Sequence, residues 1–161
     1  MNYYIAVLFW LHLIGICIWV GASFLMPLVI MPATQALDPG ARMQFMGAMS
    51  KRMGPLMMGS IGLVIVTGIL QTGAIFQTFK VFQGINILSV KTFVALLMVG
   101  NGVYMGMVLP RRMQKLAPQP GTPPSPEFLK AARMLNMHAW IQAGLGVIIL
   151  FIVGLLTAPP V

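Results

Sequence analysis

Residues 4–31, YIAVLFWLHLIGICIWVGASFLMPLVIM, are the stretch on which the fold class turns. They hold no Asp, Glu, Lys or Arg. A helix rises 1.5 Å per residue, so about 20 apolar residues already cross the roughly 30 Å hydrocarbon core of a bilayer. The run therefore reads as a membrane span. Three more follow at about 55–76, 87–109 and 137–158. The expectation is an all-α integral membrane protein, a single four-transmembrane-helix bundle over residues 1–161. Met1–Tyr4 offers no basic leader and no small-x-small cleavage site follows, so the first span is expected to stay rather than be removed as a signal peptide.

Composition agrees. Hydrophobic residues make up 58% of the chain and charged residues 7%, whereas a soluble domain carries about 25% charged residues. Disorder needs the opposite balance. The single cysteine, Cys17, excludes an internal disulfide and a cysteine-based zinc site. Asp38 and Glu127 are the only acids and both fall outside the spans. No carboxylate pair or carboxylate proton relay can then form inside the membrane. Glycine loops of the phosphate- or dinucleotide-binding kind are absent. The net charge of +8 does not indicate nucleic acid, because ten basic residues flanking apolar runs set topology and meet anionic headgroups.

Connections one and three carry Arg42, Lys51, Arg52, Arg111, Arg112, Lys115, Lys130 and Arg133, eight of the ten basic residues. The positive-inside rule places those connections in the cytoplasm and both termini on the outer, periplasmic side. From Ala41 the first connection reads as helix running on through Gly54-Pro55 into span two. Five prolines lie within 118–126, so the cytoplasmic loop 117–126 cannot be helical. Ser125-Pro126-Glu127 then has the form of a helix start. Gly59, Gly62, Gly68 and Gly73 are read as helix-packing positions.

Function in such a chain resides in polar groups at bilayer depth, where burial is costly unless they are paired. Counted from the loops, His12 and Lys91 lie roughly 12 Å and 7 Å below the outer surface. Thr67 and Gln71 of span two reach the same layer. Topology alone thus gathers His12, Thr67, Gln71 and Lys91 in the outer half. Either His12 is a haem or metal ligand, since a bundle histidine is a known way to hold such a group, or it makes an interhelical hydrogen bond. Lys91 either belongs to the same site or snorkels to the headgroups. Trp19, two turns from His12, shares its face, and Gly15 and Gly21-Ala22 admit a neighbouring helix or a flat cofactor. Asn136, His138 and Gln142 form a second polar group near the inner end of span four. Solvation at the interface is the favoured reading of His138, with metal ligation the alternative. Asn101 reads as a helix-packing hydrogen bonder. Met43, Met46, Met49, Met53 and Met57 recur at helical spacing, which suits an apolar packing face, although thioethers also bind Cu(I). Met105 and Met107 read as lipid-facing.

Leu11-His12-Leu-Ile-Gly15 with Ile18-Trp19-Val20-Gly21 resembles the first-span signature of the CopD (copper resistance D) membrane domain. HemJ-type protoporphyrinogen oxidases share the His, Trp and Gly of that span. Lys51-Arg52-Met-Gly-Pro55, Val66-Thr67-Gly68, Ser89-Val90-Lys91, Arg133-Met-Leu-Asn136 and Leu155-Leu156-Thr157-Ala158-Pro159-Pro160 are similar to later segments of this superfamily. The HemJ likeness implies haem b with His12 as axial ligand and Lys91 at the site. The CopD likeness implies copper uptake across the inner membrane. The chain differs from HemJ proteins at Leu28, where they carry Arg, and at Met137, where they carry Glu.

Together these readings give a multi-pass protein of the bacterial inner (cytoplasmic) membrane that binds haem b through His12 and Lys91, with Trp19, Thr67 and Gln71 lining the site. Its role would be electron transfer or quinone-linked oxidation, alone, as a homo-oligomer or with other membrane subunits in a respiratory complex. The alternatives are copper handling and a cofactor-free structural subunit.

Overall fold

The computed structural model describes residues 3–76, 86–119 and 122–157. Most of the second connection, including Lys80, and the last residues from Ala158 lie outside the described residues. Four helices account for nearly everything else: α1 (Tyr3–Ala36), α2 (Pro39–Phe76), α3 (Ile87–Lys115) and α4 (Pro126–Thr157). Each is long and apolar enough to cross a membrane, and no strand occurs among the described residues. The end at which α1 starts and α4 finishes is called the upper end below.

Helix starts use the few polar residues available. The Asp38 carboxylate accepts from the Gly40 and Ala41 N–H groups, each at 3.0 Å, at the head of α2. Asn86 and Ser89 form a reciprocal capping box on α3, satisfying two otherwise orphaned donors. Ser125 Oγ accepts from the Phe128 N–H at 3.2 Å, and Glu127 sits in the first turn of α4. Both acids of the chain thereby face the positive end of a helix dipole.

α1 and α3 each contain one widened turn, at Met26–Ile30 and Tyr104–Val108. There the Met31 N–H donates to the Met26 carbonyl and the Leu109 N–H to the Tyr104 carbonyl, five residues back. Each widened turn ends two residues before a proline, Pro32 and Pro110. A proline ring collides with the carbonyl four residues earlier, here Leu28 and Gly106. The π turn gives that carbonyl room without ending the helix.

The bundle consists of two antiparallel pairs. In the first, Leu8 lies opposite Gln71, His12 opposite Thr67, and Gly15 opposite Ser60 and Val64. In the second, Asn101 and Tyr104 lie opposite His138, and Asn101 also meets Gln142. α1 and α4 join the pairs, with Gly146 against Val20 and Phe24. α3 packs mainly on α4 and only lightly on α1 and α2. Trp19, Val20, Ile61 and the fully buried Met98 form the core, ringed by Ile16, Met57, Val64, Leu145 and Ile149. Outward faces carry Ile69, Phe93, Leu96, Val147 and Phe151, as lipid contact requires.

One expectation is corrected. Gly59, Gly62 and Gly73 face open space among the described residues and do not pack helices. The inward face of α2 is set by Ser60, Ile61 and Thr67, so glycines at 59 and 62 fall on the other side. Close approach occurs instead at Gly15, Gly68, Gly102 and Gly146.

Candidate functional site

The core fixes the depth of the polar residues. Trp19 of α1 packs with Met98 of α3, and these helices run in the same direction. His12 and Lys91 each lie seven residues earlier, so both sit two turns, about 10 Å, above the core. α2 runs the opposite way, and six residues beyond core residue Ile61 it brings Thr67 to the same layer. Counting from loop ends separates His12 from Lys91 by roughly 5 Å in depth; the packing register makes them level.

His12 is buried, and its Nδ1 lies 2.8 Å from Thr67 Oγ1. The Thr67 hydroxyl has one proton, and it donates this to the Leu63 carbonyl at 2.5 Å. Thr67 must therefore accept from His12, so Nδ1 carries the hydrogen. In the neutral ring this leaves a lone pair on Nε2. The arrangement is the one by which outer partners orient a metal-ligating imidazole. A Cβ on Gly68 would lie 3.4 Å from His12 Cε1, so the glycine lets α2 close on the ring. Gln71 Nε2 donates to the Leu8 carbonyl at 3.0 Å, fixing α2 against α1 one turn higher.

Lys91 is half-buried. Val94 and Met98, three and seven residues on, are both buried, so Lys91 continues the inward stripe of α3. By the packing register it stands level with His12. The structure thus brings His12, Thr67, Gln71 and Lys91 into one upper layer. Trp19 belongs to the core two turns below, 4% exposed. Its indole nitrogen faces Gly102 and lies 3.9 Å from where a Cβ would be.

A second polar cluster forms between α3 and α4. Asn101 Nδ2 donates to Gln142 Oε1 at 2.6 Å and to the His138 carbonyl at 3.0 Å. Its Oδ1 lies 2.5 Å from His138 Nδ1, and the Tyr104 ring lies 4.8 Å from the imidazole. His138 is half-buried and hydrogen-bonded to Asn101 within the bundle. The helical phase of α4 puts positions 138 and 142 on the face toward Asn101, while Asn136 is exposed. Asn101 lies ten residues beyond Lys91 on α3, about 15 Å, so His12 and His138 belong to different layers. Met105 is half-buried and its sulfur accepts weakly from Asn101 at 3.6 Å, so only Met107 keeps the lipid-facing reading. Sequence reasoning missed this pairing because it depends on how α3 and α4 are rotated against each other. Asn101→Leu leaves the His138 and Gln142 amide-facing groups without a partner. It should destabilise the bundle by about 1–2 kcal/mol, read as a lower melting temperature in detergent with the upper layer unaffected.

The methionine stripe divides. Met43 is exposed, Met46, Met49 and Met53 are half-buried, and Met57 packs on the core. No group of three or more His, Cys, Asp or Glu side chains able to hold a metal occurs among the described residues. Set beside known proteins, the chain matches no family model, no curated protein and no solved structure.

Proposed function

We propose that this protein binds haem b in the upper half of its bundle and serves electron transfer or quinone-linked oxidation in a bacterial inner membrane, with that half facing the periplasm. The carrying observation is the His12–Thr67–Leu63 hydrogen-bond chain, which orients a buried imidazole and reserves Nε2. The resemblance of the first span to HemJ-type proteins supports the same assignment of His12 and Lys91.

The residues suit the group. α1 and α2 touch too closely at Gly15 for a ring to pass between them. α3, which carries Lys91, packs only lightly on that pair, and this seam is where a flat macrocycle can be received. His12 would hold the haem iron, and Lys91 would hold it too as a neutral amine or meet a propionate as a cation. Haem b bound there supplies a one-electron carrier. The chain's own part is to fix the imidazole through Thr67, to tie α2 to α1 through Gln71, and to exclude water with the Ile149 and Ile152 side of α4.

Iron, copper and acid-extractable pigment measured on one detergent-purified sample separate the readings. Iron and protohaem in equal, stoichiometric amounts support the proposal. Stoichiometric copper without pigment supports copper handling through the methionines, and neither supports a structural subunit. Thr67→Val should retain haem but weaken it by about 10–100-fold, the usual effect of losing an outer partner of a ligating histidine. Faster haem transfer to a scavenger protein checks this.

A further inference from the structure

We infer that the lower end of α4 holds an anionic phospholipid, with its phosphate between Lys130 and Arg133. Pro126, Lys130, Arg133, Met134 and Met137 line an open groove of about 570 Å³. Their spacing of three and four residues makes one stripe along the helix.

The order along that stripe matches a lipid. Met137 is half-exposed at the start of the apolar run, with Trp140 exposed one turn deeper, where aromatic side chains mark the membrane interface. Arg133 lies about 6 Å and Lys130 about 10 Å farther out. The headgroup region extends about 5–8 Å beyond the hydrocarbon on each side, so Arg133 stands at phosphate depth and Lys130, just outside it, reaches back to the same level along its flexible stem. Met134 and Met137 lie deeper in the membrane and offer thioether surface to an acyl chain.

Charge complementarity names the occupant. Both cations are exposed, and neither has a carboxylate partner among the described residues. Glu127, the nearest acid in sequence, does not line the groove. A free phosphate would meet the cations but leave the methionine floor uncovered, so the proposal is a lipid. It does not depend on the haem assignment.

The test uses the full chain in vesicles of equal parts phosphatidylglycerol and phosphatidylcholine, gently extracted, with retained lipid counted by mass spectrometry. Wild type should keep phosphatidylglycerol in preference. Lys130→Gln with Arg133→Gln should lower that preference by up to about thirty-fold, the effect of two juxtamembrane charges. Arg42→Gln with Lys51→Gln removes the same charge from α2 and should leave the preference intact. Unchanged preference in the α4 variant, or equal loss in the α2 variant, overturns the site. So does displacement of the lipid by an equal concentration of inorganic phosphate. All four side chains are exposed, so each variant should fold, and melting curves check this.

Discussion

His12→Ala should give a folded protein that contains no haem. On the proposed assignment the substitution removes the haem-holding imidazole that Thr67 orients, and no other imidazole lies in that layer. The fold should survive. Interhelical side-chain hydrogen bonds in membranes contribute about 0.6 kcal/mol on average, and Gly15, Gly68 and the Gln71–Leu8 bond still hold α1 to α2. Free imidazole added during haem loading should partly restore the pigment, because Thr67 can still accept from its N–H. Full haem content in His12→Ala, with the absorption spectrum unchanged, would falsify the assignment. The readout is haem per protein after purification, with helicity measured on the same sample.

Gly15→Ala should be nearly as damaging, by a different route. Its Cβ would lie 2.7 Å from Val64 Cγ2 and 3.2 Å from the Ser60 carbonyl oxygen. The first neighbour is a β-branched side chain with little rotamer freedom in a helix, and the second is backbone. α1 and α2 must therefore separate, at a cost of about 1–3 kcal/mol for overpacking. That separation stretches the His12–Thr67 bond one turn above, so haem affinity should fall with stability. Val64→Ala removes the clashing Cγ2, and the double variant should recover both properties. Such coupling is what contacting residues show in a double-mutant cycle. Additive losses would instead mean that Gly15 acts through something other than this contact.

Much of this was legible because a bilayer makes depth a function of residue count. The four helices follow from apolar length, and His12, Thr67, Gln71 and Lys91 gather by counting along alternating helices. The helix starts at Asp38 and Ser125 are local chemistry, readable from side chains that accept from nearby N–H groups. What could not be read is rotation. Nothing in the spacing of Gly59, Gly62 and Gly68 says that only Gly68 faces a neighbour, since glycine leaves no hydrophobic signature of its own. The depth of His138 is visible in its distance from the loop, but its pairing with Asn101 is not. Trp19 shares a helix face with His12, as its spacing implies, but two turns of helix carry it into the core. The widened turns at Met26–Ile30 and Tyr104–Val108 leave no pattern of their own in the spacing, although Pro32 and Pro110 give their physical cause.

The orphaned Gln142 Nε2 has a simple origin. Gln142 Oε1 is taken by Asn101, which turns the amide N–H group toward Trp19 and Gly102, where no acceptor lies among the described residues. An unpaired buried donor costs about 1–3 kcal/mol, so the lower cluster is less settled than the upper one. The two polar layers therefore differ in kind. The upper layer reserves an acceptor lone pair, and the lower one leaves a donor unused.

The most direct test of the central claim is a dithionite-reduced-minus-oxidised absorption spectrum of the detergent-purified wild-type protein, recorded beside His12→Ala. A Soret band and a sharp b-type α-band in wild type, absent from the variant, are the predicted result. Wild-type protein, purified from cells supplied with haem precursor, that shows no Soret band would contradict it.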